Sequence, residues 1–299
     1  MDDKGIDRRE FLKLSGLAAG ASLAPIAGME LARKASAADR SAGFLHKRPW
    51  WVREVEVPTI GAVNPDEFKR FSGASIFALY KGIKDERDGE GAYAAEQEAK
   101  AERVRRWMEE GKPGFGLRDR MVYDASWTVM RSASAGSGIL SWNRIRVPTP
   151  EDLGVGRYED TPEEMTKTVK SAARLYGAAL VGIASMNSKY VNLKESGRDV
   201  VFRDVEEPAV TEDEMVIPTS MRSVISVAIQ MDLDLITRVP TAVGAGASSL
   251  GYSHCAFVVS TLAEFIRGLG YQAIPSVNDT AQSVPFAVDA GLGEMSRMN

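Results

Sequence analysis

Apolar positions in the second half of the chain recur with two different periods. Met165, Val169, Ala172, Ala173 and Tyr176 fall at helical spacing behind Thr161-Pro162-Glu163-Glu164. Thr161 and Glu164 form a capping box, Pro162 suits the first helical position, and Gly177 closes the helix. Ala179 to Ala184 then runs apolar without a break, as a strand covered on both faces does. Val224 to Met231, between Pro218 and Asp232, repeats that pattern. Ser248 to Arg267 predicts a long helix, with Leu250, Phe257, Val258, Leu262, Phe265 and Ile266 on its apolar side and Gly268 and Gly270 ending it. Tyr271 to Ile274 predicts a strand, Pro275 to Thr280 a polar turn and Val284 to Ala290 a short helix. This alternation predicts an α/β domain over residues 151–299.

The pattern before residue 151 is different. Residues 38–150 form an irregular N-terminal region, with one short strand predicted where Val55 and Val57 alternate. Tyr93 to Glu110 has helical character, with Val104, Trp107 and Met108 on one face. Lys112-Pro113-Gly114 breaks that helix. Arg131 to Ser141, rich in Ser, Gly and Ala, predicts a loop, and Pro148 and Pro150 mark the boundary.

Arg8-Arg9-Glu10-Phe11-Leu12-Lys13 is a twin-arginine pair followed by an apolar pair and a lysine. Leu14 to Met29 is apolar and, at about 16 residues, shorter than the roughly 20 needed to span a bilayer. Ala35-Ser36-Ala37 fits a small-x-small cleavage site before Ala38. Residues 1–37 therefore read as a Tat signal peptide with Arg8 and Arg9 as its export signal, although Asp7 stands where the consensus has Ser or Thr. An ordinary Sec signal or an amphipathic N-terminal helix is the alternative. Tat carries folded proteins, so the signal favours an enzyme loaded with its cofactor before export.

Composition narrows the chemistry. With 44% hydrophobic and 26% charged residues over 299, the chain reads as folded and water-soluble. A net charge of −4 gives no basic footprint for nucleic acid. One cysteine, Cys255, and two histidines, His46 and His254, cannot supply a disulfide framework or a four-ligand metal site. There is no P-loop and no G-x-S-x-G elbow. Gly244-Ala245-Gly246 begins like a dinucleotide fingerprint, but its third glycine, Gly251, falls late; it predicts a flexible loop into the next helix.

Two segments carry candidate chemistry: Gly251-Tyr252-Ser253-His254 in the long helix, and Ile274-Pro275-Ser276-Val277-Asn278-Asp279-Thr280 in the polar turn. Loops at strand ends of α/β folds are where ligands usually sit. Read without further context, Tyr252 is a helix-surface aromatic and Asn278-Asp279-Thr280 a cap for the following helix. Trp50, Trp51, Trp127 and Trp142 are candidate pocket aromatics, each more often found in a core.

The twin-arginine signal, Val155-Gly156-Arg157-Tyr158 leading into Thr161-Pro162-Glu163-Glu164, Ala178 to Ala184 and Val216-Ile217-Pro218-Thr219 form an ordered series. It continues through Gly251-Tyr252-Ser253 and the Ile274–Thr280 turn to Asp289-Ala290-Gly291-Leu292-Gly293-Glu294. The set resembles the respiratory reductive dehalogenases. The resemblance implies an α/β (α+β), nitroreductase-like corrinoid-binding domain and two [4Fe-4S] clusters that pass electrons to a cobalamin-type corrinoid. Tyr252 matches the family's proton-donating Tyr, and Asn278 an Asn of the substrate pocket. Ser276, Asp279 and Thr280 are expected to bind the cofactor. The basic residue that assists the Tyr lies, in the family, just after the Gly-Leu-Gly-Glu motif, and Arg297 is too early for it. The cluster cysteines would also follow Asn299, so the chain reads as a fragment without the C-terminal ferredoxin-like part, without a metal site of its own and inactive alone. The implied partners are a small halogenated substrate, a small membrane-anchor subunit and the Tat machinery, with the protein peripheral on the outer face of the cytoplasmic membrane. An exported non-catalytic corrinoid-binding protein and an epoxyqueuosine-reductase-like enzyme are the competing readings.

Overall fold

The computed structural model describes residue 70 and residues 86–143 and 147–295. The signal peptide with Arg8 and Arg9, the Val55/Val57 strand, Trp50, Trp51 and Arg297 lie outside the described residues.

Helix α1 (Glu86–Glu109) contains the predicted amphipathic stretch. Beyond it, the Lys112 ammonium lies 3.8 Å from the centre of the Trp107 ring and 4.9 Å from that of Phe115, so the break carries a cation–π contact. Two helices follow that periodicity did not reveal: α2 (Leu117–Ser126) and the single turn α3 (Thr128–Arg131), joined at Trp127. The segment expected as a loop contains a two-residue hairpin, β1 (Ala133–Ser134) with β2 (Ser137–Gly138). Leu140 and Trp142 behind it are fully buried, so Trp142 belongs to the core.

Helix α4 (Pro162–Leu175) starts where its capping signal predicts, with the Glu164 N–H donating to the Thr161 hydroxyl at 3.3 Å. The box is only half formed: the Thr161 N–H goes to Asp160 at 2.8 Å and the Glu164 carboxylate pairs with Lys167 at 2.7 Å. Strand β3 (Leu180–Ser185) pairs antiparallel with β8 (Ser223–Ala228) over six residues. Successive residues Val181 and Gly182 are both buried, as the uninterrupted apolar run requires. Val181 packs with Ala172, Ala173, Val258 and Leu262 on the helical side. On the other side a Cβ at Gly182 would meet the Ala290 carbonyl at 2.5 Å, so only glycine lets the strand lie this close.

A second sheet, of order β4-β5-β7-β6, was not legible from periodicity. It comprises β4 (Lys194–Glu195), β5 (Arg198–Arg203), β6 (Ala209–Val210) and β7 (Glu214–Pro218), with β5 and β7 parallel and the other pairs antiparallel. Met215 and Ile217 from β7, Val200 from β5, and Val191 close around Trp142.

After the short helix α5 (Leu233–Ile236), the long helix is α6 (Ala242–Gly268), which starts six residues before the predicted Ser248. Gly244-Ala245-Gly246 is therefore helix and not a flexible loop. Thr241 caps it by accepting the Gly244 N–H at 3.2 Å. These glycines serve close approach: a Cβ at Gly244 would strike the Arg238–Val239 backbone, and one at Gly246 would come within 3.2 Å of Val122 on α2.

The strand expected at Tyr271–Ile274 does not form. Its Ala273 carbonyl is taken by the Arg267 guanidinium, at 3.2 Å from Nε and 2.7 Å from Nη2. A side chain thus occupies the acceptor that a neighbouring strand would use. Helix α7 (Ser283–Asp289) ends the described fold, with Phe286 edge-on to Tyr190.

Candidate functional site

Tyr252 projects from the middle of α6, half-buried, and the turn after Ile274 brings Asn278 to it across 26 residues of sequence. The Asn278 Nδ2 donates to the Tyr252 hydroxyl at 2.9 Å. The Asn278 Oδ1 accepts from Ser283 at 2.8 Å, which fixes which end of the amide faces the phenol. Trp127 stacks on the Tyr252 ring, centroids 5.4 Å apart and planes inclined by 18°. Tyr123 in turn meets Trp127 edge-on at 6.4 Å. The phenol is thus held by its ring and by its oxygen.

The three residues expected to hold a cofactor converge on one oxygen. Asp279 Oδ1 accepts from the Ser276 hydroxyl at 2.6 Å, the Thr280 N–H at 2.6 Å and the Thr280 hydroxyl at 3.0 Å. The other oxygen, Oδ2, is buried and has no hydrogen-bond partner among the described residues. Asn278-Asp279-Thr280 is therefore not a helix cap: α7 starts at Ser283 behind Gln282, with no side-chain cap.

Residues without any sequence signal hold this turn. Asn192, 2% exposed, donates from Nδ2 to the Asp279 carbonyl at 2.5 Å and from its N–H to the Thr280 carbonyl at 3.0 Å. Its own Oδ1 accepts from Gln282 at 2.5 Å. Arg70 donates to the carbonyls of Val191, Asn192 and Val200 at 2.6–2.8 Å, and burial lowers its pKa from the ordinary value. Before the turn, Arg267 donates to the carbonyls of Ser141, Asn143 and Ala273 and pairs with Glu264 at 2.7 Å. Glu195, on β4, has its pKa raised by burial and then by the negative charge of Asp279, while the Ser196 hydroxyl pulls the other way.

His254 is exposed and Cys255 half-buried, with burial pushing its thiol pKa up. Among the described residues no group of three or more His, Cys, Asp or Glu side chains could hold a metal ion. Nor is any helix among them long and apolar enough to cross a membrane.

Sequence comparison adds an independent line. The family model described as reductive dehalogenase subunit matches residues 47–224. A tetrachloroethene reductive dehalogenase of Sulfurospirillum multivorans is 39% identical over 153 residues, 46% of this chain and 30% of that protein. One from Dehalobacter restrictus is 31% identical over 188 residues, 54% of this chain and 34% of the relative. A chloroethene reductive dehalogenase of Dehalococcoides mccartyi aligns at 24% identity with 98% of this chain and 69% of its own. The matched stretch is about a third of the length of the first two relatives.

Proposed function

The chain belongs to the reductive dehalogenase family, and on that premise we propose that the protein removes halide from a small organohalide by corrinoid-mediated reduction. The observation that carries this reading is the Tyr252–Asn278–Trp127 arrangement beside the Asp279 turn. When bound, the corrinoid supplies the reduced cobalt that drives cleavage of the carbon–halogen bond.

The residues of the turn fit such a group. The periphery of a corrin ring bears primary amides, which are N–H donors, and the buried Oδ2 of Asp279 is an acceptor without a partner among the described residues. A buried acceptor left unpaired costs about 1–3 kcal/mol, which a ligand amide would recover. Ser276 and Thr280 hold the other carboxylate oxygen and so aim Oδ2. The two [4Fe-4S] clusters are different: a chain with one cysteine has no four-thiolate set. These residues cannot hold a cluster, and none of the steps they perform runs through one.

Tyr252 gives its hydroxyl proton to the carbon that loses halide. Asn278 Nδ2, already donating to that oxygen, stabilises the negative charge left on it. Trp127 covers one face of the phenol and shields it from water. We further propose the nitroreductase-like arrangement for this domain, Tat export through Arg8 and Arg9, and a peripheral position on the outer face of the cytoplasmic membrane beside a small anchor subunit. The export proposal rests on the twin-arginine motif and the apolar stretch behind it.

The test uses the protein from its complete gene, reconstituted anoxically with corrinoid and iron–sulfide. Chlorinated ethenes are the first substrates, since the relatives are named for them. Halide release that falls at least about 100-fold in Tyr252→Phe, with corrinoid still bound, is the expected result. Corrinoid binding without halide release from any of a broad halocarbon panel would turn the reading towards a non-catalytic corrinoid-binding protein.

A further inference from the structure

Tyr252 is followed by Ser253, about 100° further round the helix, whose buried side chain enters the packing of α6 against the end of α2 and the start of α3. Ser253 is 4% exposed, and its hydroxyl makes two bonds across more than 120 residues of sequence. It donates to the Ser126 carbonyl at 2.5 Å and accepts the Met130 N–H at 3.3 Å. Those two groups flank Trp127, the residue at which the chain turns from α2 into α3. One hydroxyl therefore ties both sides of the corner that presents the Trp127 indole to the Tyr252 ring. A turn earlier, the Ser249 hydroxyl reaches the Tyr123 carbonyl at 3.5 Å, and Gly246 lets Val122 approach.

We infer that Ser253 is a positioning residue: it sets the Trp127 corner and, through the stacked ring, the orientation of the Tyr252 phenol. The inference rests on Tyr252 being the proton donor. Loss of the hydroxyl leaves the corner free to shift by a fraction of a turn. The indole then slides on the phenol, and the hydroxyl loses its alignment with Asn278 and the substrate carbon. Small displacements of a reacting group cost large factors in rate. Ser253 is buried with its hydroxyl spent on the backbone of residues 126 and 130, so its loss should lower kcat and leave KM almost unchanged.

The experiment compares Ser253→Ala, Ser253→Thr, Trp127→Phe and the Ser253→Ala/Trp127→Phe double variant in the full protein. It uses near-UV circular dichroism alongside halide release. The Trp127→Phe spectrum subtracted from wild type isolates the signal of the stacked pair. Ser253→Ala should lose much of that signal, with far-UV spectrum and corrinoid content retained. It should also lose about tenfold in kcat with KM within about twofold. Ser253→Thr, which keeps the hydroxyl, should restore both, and in the Trp127→Phe background Ser253→Ala should cost little more. A Ser253→Ala variant with wild-type stacking signal and turnover overturns the inference. So does a loss of turnover just as large when Trp127 is already Phe. If instead Tyr252→Phe proves fully active, the proton-donor reading fails while the dichroism still shows whether Ser253 holds Trp127, so the two failures are distinguishable.

Discussion

The two sides of the Tyr252 site are held in different ways. On the helical side, Tyr252, Trp127 and Ser253 are fixed by α6 packing on α2 and α3, through small residues and a hydroxyl that bonds to backbone. On the turn side, Asn278 and Asp279 sit in a segment without regular structure whose carbonyls are taken by side chains from elsewhere, Asn192 on Asp279 and Arg267 on Ala273, with Arg70 and Gln282 bracing Asn192 in turn. A helix satisfies its own backbone, so its neighbours need only fit. A buried irregular segment must have each carbonyl and N–H paired by something else. Arg267 and Asn192 provide those partners here, and the turn should therefore be the more fragile side when single polar side chains are removed.

Arg267→Met should show the largest effect. It removes the donors to three carbonyls and leaves Glu264, 12% exposed, without its guanidinium. Breaking a buried ion pair in this way costs about 3–5 kcal/mol, measurable as a fall in the urea midpoint. A loss below about 1 kcal/mol would break the comparison, because the turn would then not depend on its clamp.

Asn192→Ala should cost about 1–3 kcal/mol by the same measurement, since the Gln282 amide and the Asp279 carbonyl both lose their partner. It should leave the near-UV signal of the Trp127–Tyr252 pair unchanged, because that pair is held by the other side. Loss of the pair's signal would show that the two sides are one unit.

Glu195→Gln gives the smallest effect and carries a sign. The raised pKa of Glu195 means that the folded state holds this proton more tightly than the unfolded one. Its contribution to stability is full below the ordinary carboxylate range and is lost as pH rises through the raised folded value. Glutamine does not ionise, so the variant should be more stable than the natural chain at neutral pH. The gain is small, because the side chain partly meets solvent. Thermal melts at neutral pH and near pH 3 check it, with the difference vanishing at the lower pH.

Legibility followed the same division. The capping box at Thr161 and the apolar run from Ala179 led to α4 and β3, because helix caps and strand burial are local or periodic properties. Tyr252 and Asn278 were picked out through the ordered motifs, and the structure brings them within hydrogen-bond distance. Gly244 and Gly246 misled, since a glycine signal does not distinguish a loop from a helix that another backbone approaches closely. Tyr271–Ile274 looked like a strand because its apolar pattern is that of one, and nothing local shows that Arg267 claims the Ala273 carbonyl.

Local order along the chain thus determined which segments could be helix or strand, where α4 begins, and which short motifs carry polar chemistry. The resemblance to the family came from those motifs and their succession, and the family match over residues 47–224 shows the membership. Tertiary structure alone decided that Trp127 would lie against Tyr252, that Ser276 and Thr280 would bond one oxygen of Asp279 and leave the other bare, and that Asn192 would hold the turn. For Trp127 against Tyr252 and Asn192 against Asp279 the reason is separation, since no periodicity or capping rule operates over 87 positions or more. The bonds of Ser276 and Thr280 to Asp279 are local, and there it is burial of the turn that leaves the second oxygen bare.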